Sequence, residues 1–253
     1  MCQHLTRREW LGKSAAVAAV VAGFPAALSA LETRWSASAP DDLEIALKAE
    51  SWIRRSRVET KNGVTWPADP LKPASIGYDL YNGMPGVVLF YLELFHATGD
   101  KKWLDDAKLG ANELETQLST LNDAKDAGLY TGLGGAVFVL EETHRATGEG
   151  RYRDAARRAL AMVHQQAKRT SSGATWAGPS ATNDIISGTS GIGLLLLWAD
   201  HMMDDTPSRE LALAAGRGLL SAGIADKGGT KWAVASDVKN LYPNFSHGTA
   251  GVA

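Results

Sequence analysis

The chain has 253 residues, with 26 basic against 28 acidic side chains, a formal net charge of −2 and 45% hydrophobic residues. That length suits one large domain or two small ones, and the composition is that of an ordinary globular protein. With no basic patch and no acidic run, a nucleic-acid partner and a charged tail are both excluded from the reading.

The chain begins with Thr6-Arg7-Arg8-Glu9-Trp10-Leu11, then Lys13, a weakly apolar alanine-rich run over 14–24, and small residues ending in Leu28-Ser29-Ala30. The apolar run is too short to cross a hydrocarbon layer of about 30 Å as a helix. The segment resembles a twin-arginine export signal cleaved near Ala30. It predicts a signal peptide over 1–30, a mature domain over 31–253, and a periplasmic or extracellular location with no stable membrane span after cleavage. Cys2 is the one cysteine. The exported part therefore has no thiol for a disulfide or a metal.

Downstream, a Gly-x-x-Gly step recurs four times: Gly83-Met84-Pro85-Gly86, Gly132-Leu133-Gly134-Gly135, Gly188-Thr189-Ser190-Gly191 and Gly248-Thr249-Ala250-Gly251. The first glycines lie 49, 56 and 60 residues apart, a period that marks an array of supersecondary units. Each of the first three steps opens an apolar helix, over 87–97, 136–146 and 192–203. In the third, Leu194, Leu195, Leu196 and Leu197 predict burial on every side. Striped helices alternate with these. Leu104, Ala107, Ala111, Leu114 and Leu118 form one apolar stripe, and Tyr152, Ala156, Ala159 and Val163 another. Weaker stripes lie over 41–57 and 208–220. Strand signals are few and short.

The order striped helix, loop, glycine step, buried helix predicts an all-α fold. We read it as an α/α toroid, a barrel of helical hairpins, with an incomplete ring of about three and a half repeats. The fourth unit has only begun at Ala253, so the chain reads as the N-terminal part of a longer protein. Before the steps, Gly63-x-x-Trp66, Gly173-x-x-Trp176 and Gly229-x-x-Trp232 recur as loop elements, and the second unit has Gly128-Leu129-Tyr130 instead. The glycines either let inner helices crowd together or bare N–H groups at helix mouths. Both can hold at once.

Two motifs could carry chemistry. In Asp184-Ile185-Ile186-Ser187-Gly188 a carboxylate stands four residues before a glycine step, either facing the cavity mouth or capping the inner helix. In Phe245-Ser246-His247-Gly248 an imidazole stands directly before the step, where the other units have Asn82, Thr131 and Ser187. Histidine can give or take a proton near neutral pH; the alternative is a surface or capping residue. His96, His144 and His201 end inner helices and suit the helix dipole there. His164 falls in a polar stretch of an outer helix and is expected to face solvent. Trp66, Trp176 and Trp232 either line the cavity as substrate-binding rings or plug the gaps between units. No cluster has metal-ligand spacing, so no residue of this chain is assigned to a metal.

The repeated steps, Asp-Ile-Ile-Ser-Gly-Thr-Ser-Gly-Ile over 184–192 and Ser-His-Gly-Thr-Ala-Gly-Val over 246–252 together resemble the lanthionine synthetase C-like family, across about residues 41–253. The resemblance implies a toroid of helical hairpins and a peptide substrate. It also implies zinc-assisted addition of a peptide thiol to a dehydroamino acid, with Asp184 and His247 at the positions implicated in proton transfer. Zinc is expected for the complete protein. The family's ligands, in Trp-Cys and Cys-His-Gly steps further downstream, have no counterpart here, so this chain alone is expected to be inactive. Export is a second departure from the cytoplasmic cyclases. Two other readings stay open: an exported carbohydrate-active α/α toroid, for which Asp79 would be a second carboxylate, and a non-catalytic peptide-binding toroid.

Overall fold

The computed structural model describes residues 42–121, 126–176 and 182–253. The predicted signal peptide and Cys2 lie outside the described residues. The chain divides into two compact units, Met1–Trp52 and Ile53–Ala253. The described part of the first, 42–52, belongs to helix α1 (Asp42–Arg55), acidic in its first turn and basic in its last as the helix dipole favours.

The second unit carries the repeat. Its helices are α2 (Met84–Thr98), α3 (Lys101–Leu121), α4 (Leu133–Thr147), α5 (Gly150–Gln165), α6 (Thr189–Met203), α7 (Thr206–Ala222) and a short α8 (Thr249–Val252). They pack as hairpins α2–α3, α4–α5 and α6–α7, and α2 also meets α4, which meets α6. The all-α helical-hairpin repeat is the one the sequence predicts. Tight turns close the first two hairpins because Gly99 (φ 70°) and Gly148 (φ 75°) take the left-handed conformation at the ends of α2 and α4. Asp204 does so at φ 56° in the third.

The predicted stripes form the core contact of the outer helices. Ala107, Ala111, Leu114 and Leu118 on α3 are buried, as are Tyr152, Ala156, Ala159 and Val163 on α5. The third inner helix departs from its prediction. Leu195 and Leu196 are buried, whereas Leu194 and Leu197 are about half exposed. They line an open apolar groove with Ile185, Leu219 and Phe245. Four consecutive residues on a 3.6-residue helix sweep round its circumference, so the leucine run spans both the packed face and the groove.

The Gly-x-x-Trp loops are two-stranded antiparallel hairpins: β1 (Val58–Glu59) with β2 (Val64–Thr65), β3 (Ala167–Thr170) with β4 (Gly173–Trp176), and β5 (Ile224–Asp226) with β6 (Gly229–Lys231). The second packs on the outer helix of the following unit. A Cβ on Gly173 would stand 2.3 Å from the Ala214 carbonyl oxygen of α7, and one on Gly63 2.0 Å from the Leu109 carbonyl oxygen of α3. Such separations exclude any side chain, which accounts for the glycine of the motif.

Candidate functional site

All four glycine steps are built on one loop. The N–H of the residue after the first glycine donates to the carbonyl seven residues earlier: Met84 to Gly77 (2.9 Å), Leu133 to Asp126 (2.8 Å), Thr189 to Thr182 (2.9 Å) and Thr249 to Tyr242 (2.9 Å). The loop doubles back so tightly that a Cβ on Gly132 would stand 2.0 Å from the Asp126 carbonyl oxygen, and one on Gly251 1.9 Å from that of Phe245. The glycines therefore serve close approach of the loop to its own helix, more than crowding between inner helices.

A side chain locks each loop. Four residues before the first glycine, Asp79 Oδ1 accepts from the Asn82 N–H (2.7 Å), Asp184 Oδ1 from the Ser187 N–H (2.9 Å) and Asn244 Oδ1 from the His247 N–H (2.8 Å). The second unit has Gly128 at that place, and Asp126 takes over by accepting from the Gly128 N–H and the Thr131 hydroxyl. These are Asx-type turns. Asp184 therefore does not cap α6 itself; none of the four inner helices has a side-chain cap. Aligning the four steps would have revealed the shared acceptor, but single-motif reading does not.

Neighbouring mouths are tied together in two different ways. Two residues before each step, the Tyr81 N–H donates to the Tyr130 carbonyl (3.0 Å) and the Tyr130 N–H to the Ile186 carbonyl (2.9 Å). Between the third and fourth steps side chains make the link. Ser190 Oγ donates to the Gly251 carbonyl (2.7 Å), and His247 Nδ1 meets Asp184 Oδ2 at 2.6 Å.

The two motif residues thus form one pair. Asp184 is 1% exposed and the His247 side chain 52%. The carboxylate uses Oδ1 to hold its own turn and Oδ2 to hold the imidazole. It also lies beside the N-terminus of α6, where negative charge is favoured. With a proton on Nδ1 donated to Asp184, Nε2 is the acceptor nitrogen of the neutral ring. This is a carboxylate-oriented imidazole, which can take a proton at Nε2 and return it while the carboxylate steadies the cation.

The three tryptophans are buried in the protein. Trp66, Trp176 and Trp232 are 3%, 5% and 8% exposed. Trp176 Nε1 donates to the Val163 carbonyl of α5 (2.8 Å) and Trp232 Nε1 to the Leu219 carbonyl of α7 (2.7 Å). Their rings are covered by protein, so the expected stacking on substrate finds no open ring face here. His144 caps the end of its hairpin, its Nδ1 3.0 Å from the Glu149 carbonyl. His164 does not face solvent as expected: its Nε2 lies 2.9 Å from the buried hydroxyl of Ser208. Asp79 is engaged in its own turn, its Oδ1 accepting from the Tyr81 and Asn82 N–H groups.

Among the described residues no group of three His, Cys, Asp or Glu could hold a metal ion, and no helix is long and apolar enough to cross a membrane. A family model described as lanthionine synthetase C-like protein matches residues 74–253. No curated protein matches the chain.

Proposed function

The chain belongs to the lanthionine synthetase C-like family, and on that premise we propose that it takes part in peptide modification by thioether formation, with Asp184 and His247 as the proton-handling pair. The observation that carries this reading is their 2.6 Å contact, made between two loops 63 residues apart in sequence. In the reaction a thiol sulfur bonds to the β-carbon of a dehydroamino acid. The π electrons move to the α-carbon side as an enolate, the thiol loses its proton, and the α-carbon gains one. His247 Nε2 is the group that can carry a proton, and Asp184 fixes which nitrogen is free.

The family's best-known members use zinc. The described residues do not fit such a site, since no group of three His, Cys, Asp or Glu among them could hold a metal ion. The sequence of residues 1–30 supports export, and attaching that segment to a reporter enzyme that is active only outside the cytoplasm tests it. The carbohydrate-active reading drew on export and on the loop tryptophans, and the burial of the tryptophans takes away the second of these supports.

The test is a peptide carrying one cysteine and one dehydroalanine, incubated with the full-length protein and zinc. Ring closure is read as loss of thiol alkylation by mass spectrometry. His247→Ala should slow closure about 100-fold or more, the span typical of a lost proton-transfer group. Asp184→Asn, which keeps the turn bond but not the charge, should slow it less. Closure at the wild-type rate in both variants, or none in the wild type, sinks the proposal.

A further inference from the structure

We propose that Asn244 is the positioning residue of His247, setting the imidazole against Asp184 through the main chain. The inference rests on the reading of Asp184 and His247 as the site. Asn244 stands where Asp79 and Asp184 stand in their own steps, and it makes the same bond to the residue just before the glycine. In the first and third steps that bond orders Asn82 and Ser187. In the fourth it orders the backbone of the one imidazole at these positions. It also accepts from the Ser246 hydroxyl (3.3 Å).

The need is physical. The His247 side chain is half exposed, so packing does little to restrict its rotamers. Its aim at a buried carboxylate therefore depends on where the main chain delivers the Cα. The amide fits the task better than the carboxylate used in the other steps. It supplies the same acceptor without adding a second negative charge beside the Asp184–His247 pair.

The experiment reads the ring itself. In nitrogen-edited proton spectra of the full-length protein, the His247 Nδ1 proton bonded to Asp184 gives a downfield signal protected from exchange. Asn244→Ala should raise its exchange rate about fivefold, the factor that one hydrogen bond of ordinary net strength carries. Asn244→Asp, which keeps the acceptor, should restore protection. Asp79→Ala removes the same turn bond from the first step and should leave the signal at its wild-type rate. If Asn244→Ala does not fold, Asn244→Gln, with the amide displaced by one methylene, should show the same loss. Unchanged exchange in Asn244→Ala overturns the proposal, as does an equal rise in Asp79→Ala. A wild-type ring with no protected Nδ1 proton overturns it together with the pair. Failure of thioether formation with protection intact counts against the proposed reaction alone.

Discussion

Asp184 with His247, and Asp205 with His164, are the same two residue types set in two regions, the inner mouths and the outer layer. At the mouth, the half-exposed His247 turns Nδ1 to the buried carboxylate. In the outer layer, Asp205 is the side-chain cap of α7. It accepts from the Ser208 N–H (3.1 Å) and hydroxyl (2.6 Å). The Ser208 hydroxyl in turn receives His164 Nε2. The two rings thus turn opposite nitrogens to their partners, Nδ1 in His247 and Nε2 in His164. What separates a candidate proton carrier from a fastening between helices is which nitrogen the neighbours leave free, and composition does not encode that.

Backbone space should break the comparison most strongly. Gly251→Ala sets a Cβ against the Phe245 carbonyl and should cost about 3 kcal/mol, at the upper end of overpacking penalties, in urea denaturation. Gly216→Ala on outer helix α7 meets nothing within 4 Å and should gain ~0.8 kcal/mol from helix propensity. Equal effects would mean that the mouth is no tighter than the outer layer.

Removing each carboxylate sharpens it further. Asp184→Ala loses the turn acceptor and leaves the imidazole unpaired, an expected loss of about 2 kcal/mol in urea midpoints. Asp184→Asn should recover part of that loss through the Ser187 bond. Asp205→Ala loses a helix cap, about 1 kcal/mol. A larger loss at Asp205 than at Asp184 would reverse the ranking.

The smallest effect is one of pH. Burial holds the His164 imidazole below its ordinary value, with Asp205 opposing and Arg169 reinforcing the shift. The folded state thus prefers the neutral ring. The stability it contributes is fully present above the unfolded value of about 6.5 and is lost as pH falls through the lower folded value. The urea midpoint should fall between pH 7.5 and 5.5, and His164→Gln should reduce that fall. An unchanged pH dependence in the variant would remove His164 from the account.

Much of this was legible in the sequence. Glycine steps and apolar stripes are local patterns with a period, so the inner and outer helices could be read directly. Asp184 stood out as an acid at the mouth of the most apolar helix and His247 as the one imidazole directly before a glycine step, and the structure brings them together. The β-hairpins were read as loops because strands of two to four residues show no alternation. Their glycines answer to the backbone of a distant helix, as Gly173 does to Ala214. The tryptophans were ambiguous, and Leu194, Leu197 and His164 were misjudged, for the same reason. Their surroundings are set by helices far away in the chain, and an indole or imidazole suits a buried or an exposed setting equally well.

The backbone ladder from Tyr81 through Tyr130 to Ile186 has a consequence for folding cooperativity. In a linear array each unit is stabilised only by its neighbours, and without strong interfacial terms the units would melt separately. Each rung ties the melting of one unit to that of the next. The rungs are main-chain bonds, so this coupling is insensitive to which side chains occupy the mouths. A drift in the side chains of the first three mouths therefore leaves those units melting together, whereas the fourth is coupled through the side chains of Ser190, Asp184 and His247.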